Sequence, residues 1–179
     1  MQIFVFLADG FEEIEAIAAI DIFRRAEIKV TTVSVSTSLI VIGAHDVKVY
    51  ADSLFSDIQF SSDSLLYLPG GMPGTTNLDN HEGLKSLIKR HATDGGLIAA
   101  ICAAPSILGK MNLLKAKEAI CYPGFESTLK NAVISQSKIS KSGNIFTAKA
   151  AGVAVQFALK IVEELKGKEL AFEIKESIN

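Results

Sequence analysis

The stretch Gly95-Gly96-Leu97-Ile98-Ala99-Ala100-Ile101-Cys102-Ala103-Ala104-Pro105 carries the reading of the fold. Leu97 to Ile101 is apolar throughout, as expected of a parallel strand covered on both faces. It runs directly into Cys102, and a helix over about Ala104 to Gly109 follows. Ala100 and Ala104 stand two residues before and after the thiol. Small flanking residues permit a tight strand-to-helix turn that pushes a nucleophile out of the backbone. That turn also places the sulfur at a helix N-terminus, where the dipole and free N–H groups favour a thiolate. The plain alternative is that Cys102 is a small core hydrophobe, as free cysteines often are.

Outward from this stretch, apolar runs alternate with amphipathic ones. Gln2 to Ala8 is a strand. Glu13 to Ala26 is a helix whose apolar stripe is Ile14, Ile17, Ala18, Ile22 and Phe23. Lys29 to Val35 is the next strand. Leu39 to Ile42 and Val47 to Tyr50, separated by Gly43 to Asp46, form a hairpin. Ser64 to Leu68 is a strand stopped by Pro69-Gly70-Gly71, and His81 to Ala92 is helical, ending near Gly95-Gly96. Further on, Ala119 to Tyr122 reads as a strand halted by Pro123-Gly124. Lys138 to Ser140 and Asn144 to Thr147 are short strands around Lys141-Ser142-Gly143. A C-terminal helix spans about Ala150 to Leu165, with Val153, Phe157, Ile161 and Val162 on its buried side. Strands alternating with helices specify an α/β layered fold with a mostly parallel sheet. With no linker, repeat or low-complexity segment, residues 1–179 are expected to form a single domain.

Composition narrows the function classes. At 179 residues and a net charge of −2, with scattered charges, the chain has no basic footprint for nucleic acid and no polybasic membrane patch. No apolar run reaches the roughly 20 residues that span a bilayer. The N-terminus enters a strand at once, without signal-peptide regions, so a cytoplasmic location is expected. The two cysteines, Cys102 and Cys121, show no CxxC motif, and a cytosolic chain of this size seldom needs a disulfide. His45, His81 and His91 have no zinc-ligand spacing, and no metal site is expected.

Ligands of such sheets bind beyond the carboxyl ends of the strands. This brings together Ala8-Asp9-Gly10-Phe11-Glu12-Glu13-Ile14-Glu15, Pro69-Gly70-Gly71 and Cys102. Glu12, Glu13 and Glu15 sit where acids favour a helix N-terminus, so a solvated acidic cap is one reading. In the other, Glu15 turns inward to the thiol. Desolvation and like charge would keep its carboxyl protonated near neutrality, able to donate to sulfur or exchange a proton with substrate. Gly70 and Gly71 either end a strand or allow close approach of a ligand. In that second case the N–H of Gly71 pairs with that of Ala103 as an oxyanion hole. The Pro-Gly-Gly segment lacks the Gly-Lys-Ser/Thr ending of a phosphate loop.

The segments Ala-Asp-Gly-Phe-Glu-Glu-Ile-Glu, Leu-Pro-Gly-Gly-Met-Pro-Gly and Leu-Ile-Ala-Ala-Ile-Cys-Ala-Ala-Pro resemble the ThiJ/PfpI superfamily in its Parkinson-linked "DJ-one-like" branch. Phe157 to Glu163 followed by Gly167-Lys168 is similar too, so the likeness runs in order over nearly the whole chain. The resemblance implies a flavodoxin-like three-layer sandwich with a nucleophile elbow, a homodimer and no cofactor. It maps an oxidation-sensitive nucleophile onto Cys102, its protonated carboxyl partner onto Glu15, and backbone donors onto Gly71 and Ala103. The implied activity is glyoxalase or deglycase chemistry on small 2-oxoaldehydes or glycated substrates. Oxidative-stress sensing through a Cys102 sulfinate, or chaperone-like protection, is the alternative.

The chain also departs from that pattern. Many relatives carry a histidine near the thiol where this chain has Tyr122, and a phenol with pKa near 10 is a poor base at neutral pH. That leaves open a member that keeps only the fold. The protease-like members have a histidine directly after the nucleophile, where this chain has Ala103, so peptidase action is not expected; nor is glutamine amidotransferase action, for want of the triad histidine. His45, Arg25 and Lys149 are candidates for an anion-attracting rim beside Gly70 and Tyr122, or else ordinary surface residues.

Overall fold

The computed structural model describes all 179 residues. The first strand, β1 (Gln2–Leu7), is followed by helix α1 (Glu13–Arg25) and strand β2 (Lys29–Ser34). The hairpin β3 (Ile40–Ile42) and β4 (Lys48–Tyr50) comes next, then β5 (Ser53–Leu54) and β6 (Ser64–Leu68). Helices α2 (Gly74–Asn80) and α3 (Glu82–Thr93) lead to β7 (Leu97–Ile101) and α4 (Pro105–Lys110). After β8 (Glu118–Ala119), β9 (Val133–Ile134), β10 (Ile139–Ser142) and β11 (Ile145–Ala148), the chain ends in α5 (Ala154–Lys166) and α6 (Lys168–Ser177).

Seven strands form the central sheet in the order β10-β11-β7-β6-β1-β2-β5. All neighbours are parallel except β10, which runs antiparallel at one edge. Two-residue periodicity sends Ile3, Val5 and Leu7 to one face and Phe4, Phe6 and Ala8 to the other. The first face packs under α1, α5 and α6; the second under α2, α3 and α4. Helices thus cover both faces of a mostly parallel sheet, a flavodoxin-like α/β sandwich. The order reverses between β1 and β6, where such sheets open a crevice at the strands' carboxyl ends. The chain leaving β1 leads to Glu15, the chain leaving β6 is Pro69-Gly70-Gly71, and β7 beside it leads to Cys102. No helix is long and apolar enough to cross a membrane.

Several local expectations change. In α1 the buried side is Glu15, Ala16, Ala19, Ile20, Ile22 and Phe23, while Ile14 and Ile17 are 58% and 42% exposed. The small residues Ala16 and Ala19 let the helix lie close to the sheet and α5, which turns the bulkier Ile14 and Ile17 outward. The expected strand Ala119 to Tyr122 shrinks to β8, paired with β9 outside the main sheet. Ile120 instead donates its N–H to Thr147 Oγ1, and Tyr122 donates to the Cys102 carbonyl. The β10–β11 turn falls at Gly143-Asn144, one to two residues beyond the expected one. The C-terminal helix begins at Ala154, leaving Val153 half-buried in a short 3₁₀ turn. Two helices lacked a clear signal. One is α2, which has no side-chain cap; the other is α6, set off from α5 by Gly167. His81 caps α3 by accepting the Leu84 N–H at 2.9 Å, rather than lying inside the helix.

Candidate active site

At the end of β7 the chain turns sharply at Cys102, whose φ is +63°. A residue with a Cβ rarely occupies this left-handed region, and such strain concentrates at functional sites. The turn is pinned on both sides: Cys102 donates its N–H to the Ala148 carbonyl at 2.9 Å, and its own carbonyl accepts from Tyr122 at 2.7 Å. The thiol is half-buried and therefore reachable.

Opposite it stands Glu15, in the first turn of α1 and fully buried. Its Oε2 accepts the Gly70 N–H at 2.7 Å, whereas Oε1 has no hydrogen-bond partner with ordinary geometry. The glycine is a steric requirement, because a Cβ at position 70 would stand 2.7 Å from both the Cys102 Cβ and Glu15 Oε2. Gly71, at φ +88°, turns the chain so closely over Gly10 and Glu12 that a side chain there would run into their backbone. The Gly71 and Ala103 N–H groups have no backbone partner and lie beside the Cys102 sulfur, where they favour its thiolate.

The electrostatics follow from this enclosure. Burial pushes the Glu15 carboxyl up from 4.5 to about 7, against the lowering pull of the Gly70 N–H and Cys102, with the Glu12 charge adding to the rise. Burial, then the Glu15 charge and hydrogen bond, push the Cys102 thiol up to about 12, while the Ala103 and Gly71 N–H groups pull it down. Two of those three upward causes belong to the Glu15 carboxylate; once it is protonated the charge repulsion vanishes and its O–H can donate to sulfur. The two groups titrate together, the carboxyl losing its proton before the thiol, and a thiolate is favoured only beside a protonated Glu15. The expected contribution of a helix N-terminus is small. Helix α4 has six residues, Pro105 has no N–H, and the Ala104, Ser106 and Ile107 amides are already bonded within the turn. The donors at the sulfur come from the elbow and the Gly71 loop instead.

The acidic trio separates into three roles. Glu15 goes inside. Glu13 accepts the His45 N–H at 2.7 Å and meets its Nδ1 at 2.8 Å, clipping the β3–β4 hairpin to the start of α1. Burial alone would raise Glu13, but the bonds from His45 hold it below its usual range, and they raise His45 in turn. Glu12 ties the loops together, its N–H donating to the Gly70 carbonyl at 2.9 Å. Glu12, Glu13 and His45 have donor atoms within 4.8 Å of one another.

The candidate rim residues scatter. Tyr122 is beside the elbow through its main chain, with its ring 47% exposed and edge-on to Phe125. Lys149 is exposed and follows Ala148, the residue that accepts the Cys102 N–H. Arg25 is not brought to the site: it pairs with Asp21 at 2.7 Å in the last turn of α1, ten residues from Glu15 and about 15 Å along the helix. Cys121 is fully buried on the other side of the sheet from Cys102, among the residues under α3 and α4. A wider cleft of about 780 Å³ lies between β10, α5 and α6, lined by Leu159 and Phe172 among others, and holds none of these groups. Sequence reasoning passed over Tyr67, whose hydroxyl reaches the Glu15 carbonyl; its only signal was a phenol among the leucines of its strand.

A left-handed cysteine elbow facing a buried glutamate across a Pro-Gly-Gly turn now has a match. The DJ-1/PfpI family model fits residues 1–164. The chain belongs to the DJ-1/PfpI family. Protein DJ-1 homolog B of Arabidopsis thaliana is 39% identical over 175 residues, 97% of this chain but 40% of its own length. The chain thus spans less than half the length of the Arabidopsis relatives it matches. The glutathione-independent glyoxalase DJR-1.2 of Caenorhabditis elegans is 31% identical, with 88% of this chain and 84% of that protein covered. Among solved structures, the oxidised DJ-1 of Toxoplasma gondii superposes with a TM-score of 0.93 at 34% identity, covering 99% of this chain and 97% of its own.

Proposed function

We propose that the protein, its residues 1–179 acting as one domain, converts small 2-oxoaldehydes to hydroxy acids without a cofactor. The observation that carries this reading is the fully buried Glu15 carboxyl, held by the Gly70 N–H at 2.7 Å opposite the half-buried Cys102 thiol. The family's glyoxalase member supports the substrate class. Glu15 takes the thiol proton, and the thiolate adds to the aldehyde carbon to give a hemithioacetal oxyanion. The Gly71 and Ala103 N–H groups, released from the sulfur as it bonds to carbon, stabilise that oxyanion one bond away. Glu15 returns its proton to the oxygen, then removes the C1 hydrogen as a proton, leaving an enediolate. Glu15 delivers that proton to C2 while the C1 hydroxyl proton passes to the C2 oxygen, giving a Cys102 thioester of the hydroxy acid. Water attacks the thioester carbonyl, expels the thiolate and releases the acid. Early glyoxal adducts on proteins present the same hemithioacetal or hemiaminal carbon and form a second substrate class.

The first test is lactate formation from methylglyoxal by wild type, Cys102→Ala and Glu15→Gln prepared in parallel. Turnover in Cys102→Ala, or turnover near the wild-type rate in Glu15→Gln, removes the mechanism. A second reading is a redox sensor. A half-exposed thiol with two backbone donors and a carboxyl partner suits sulfinate formation, in which peroxide oxidises the thiolate twice and is reduced to water each time. The oxidised Toxoplasma relative favours it. Intact-mass analysis after graded peroxide tests it, and preferential oxidation of Cys121 would rule it out.

The proposed unit is a homodimer in the cytoplasm, where a reducing environment keeps both thiols free. Ile17 of α1 lines one cleft with Val49 and Tyr50 of the hairpin, and the exposed Ile14 stands three residues before it on the helix. This apolar surface is suited to a second copy. Sedimentation should show Ile17→Glu as a monomer; a wild type that already sediments as a monomer removes this part.

A further inference from the structure

Strand β6 holds Glu15 at two points. The Gly70 N–H just beyond the strand bonds the carboxyl at 2.7 Å, and the Tyr67 hydroxyl within the strand donates to the Glu15 main-chain oxygen at 3.0 Å. Tyr67 is fully buried. Its ring meets Phe23 edge-on at 5.7 Å and lies 5.9 Å from Phe157, so the phenol is wedged between α1 and α5. A main-chain oxygen inside a helix already has a helical partner in the ordinary pattern. This bond therefore is not needed to complete α1, and a phenylalanine would fill the same space without a polar atom to satisfy. Through that bond, the strand that leads to the Gly70-Gly71 turn also sets the position of the helix residue facing the thiol.

We propose that Tyr67 is a positioning residue whose hydroxyl, bonded to the Glu15 carbonyl, sets the distance between the Glu15 carboxyl and the Cys102 sulfur. The inference rests on the reading of Cys102 and Glu15 as the reacting pair. Three titratable groups face that carboxyl: Cys102 from the elbow, Glu12 from the loop ahead of α1, and Tyr67 from β6. The buried residues of β1 and α5, which pack the same helix, are apolar. Without the hydroxyl, α1 is free to shift by a fraction of an ångström and to admit water to the carboxyl. Glu15 would then ionise at lower pH, and its charge would suppress the thiolate where wild type still forms it.

The experiment measures two quantities in wild type, Tyr67→Phe and Phe23→Leu. One is methylglyoxal turnover; the other is the pH profile of Cys102 alkylation by iodoacetamide, assigned by peptide mass. Tyr67→Phe should lower kcat roughly tenfold with KM nearly unchanged, since a small misplacement at a reacting pair costs rate rather than affinity. Its alkylation should match wild type below about pH 5, where Glu15 is protonated in both, and should fall behind as the pH rises through 7, because its carboxyl ionises earlier and holds the thiol protonated. Phe23→Leu disturbs the same packing with the hydroxyl intact and should leave the alkylation profile in place. An unshifted profile in Tyr67→Phe, or the same shift in Phe23→Leu, overturns the proposal. Should Tyr67→Phe fail to fold, incorporating 3-fluorotyrosine in place of Tyr67, a stronger donor of nearly the same size, should move the profile the opposite way, and an unmoved profile overturns it equally. If wild type forms no lactate, the functional reading fails while the alkylation profile still decides the role of Tyr67.

Discussion

Cys102 and Cys121 belong to segments joined by one main-chain hydrogen bond, from Tyr122 N–H to the Cys102 carbonyl at 2.7 Å, yet their surroundings differ in kind. Cys102 sits at a left-handed turn, half-buried, with two backbone N–H groups on its sulfur and a buried carboxyl opposite. Cys121 is sealed among apolar side chains on the other side of the sheet, and burial followed by the Glu126 charge pushes it up to about 11. Both thiols are raised, but only Cys102 has a partner that can take its proton and donors that can hold the resulting charge. Reactivity here is a property of the surroundings and not of the thiol's starting acidity.

The sharpest way to break this contrast is substitution at each thiol. Cys102→Ala should abolish lactate formation, whereas Cys121→Ala should leave it nearly unchanged; equal losses would mean that the sheet does not separate the two. Next in size is Glu15→Gln, expected to lower turnover by about 10²–10⁴-fold, the usual range for losing a positioned acid–base group.

The same carboxyl gives a pH signature in stability near neutrality, where Cys121 keeps its proton folded and unfolded alike. Glu15 holds its proton more tightly folded, at about 7, than at its ordinary 4.5. Its contribution is therefore full below about pH 4.5 and is lost as the pH rises through 7, a change on the order of 3 kcal/mol. Thermal unfolding between pH 5 and 8 should show this loss in wild type and little of it in Glu15→Gln. Smallest of all is the cost of Cys121→Ala to the fold, about 1 kcal/mol for a small buried side chain, measured by denaturant midpoint at fixed pH.

Much of this was legible in the chain. The unbroken apolar run ending in Cys102, with alanines on both sides, has few other uses than a buried strand turning into a helix, so elbow and sheet could both be read from it. Pro69-Gly70-Gly71 marked the turn that faces it. Residues whose meaning depends on helix rotation were less legible. Ile14 and Ile17 satisfy helical periodicity as well as Ala16 and Ala19 do, and only the close packing of α1 on the sheet and α5 decides which pair turns inward. Glu12, Glu13 and Glu15 are likewise interchangeable as a helix-start pattern, until the hairpin takes Glu13 and the Gly70 N–H takes Glu15.

The order of strands and helices, the place of the nucleophile and the glycines that let the chain pass close to it follow from local constraints: backbone conformation, side-chain size and two-residue alternation. These act over a few residues and leave a pattern in the chain itself. Three things arise from contacts between residues far apart in sequence: the coupling of Cys102 to Glu15, the exclusion of Arg25 from the site, and the bond from Tyr67 to the Glu15 main chain across 52 positions. Desolvation and hydrogen-bond geometry fall off within a few ångströms, so they take their values only once the sheet has brought those residues together.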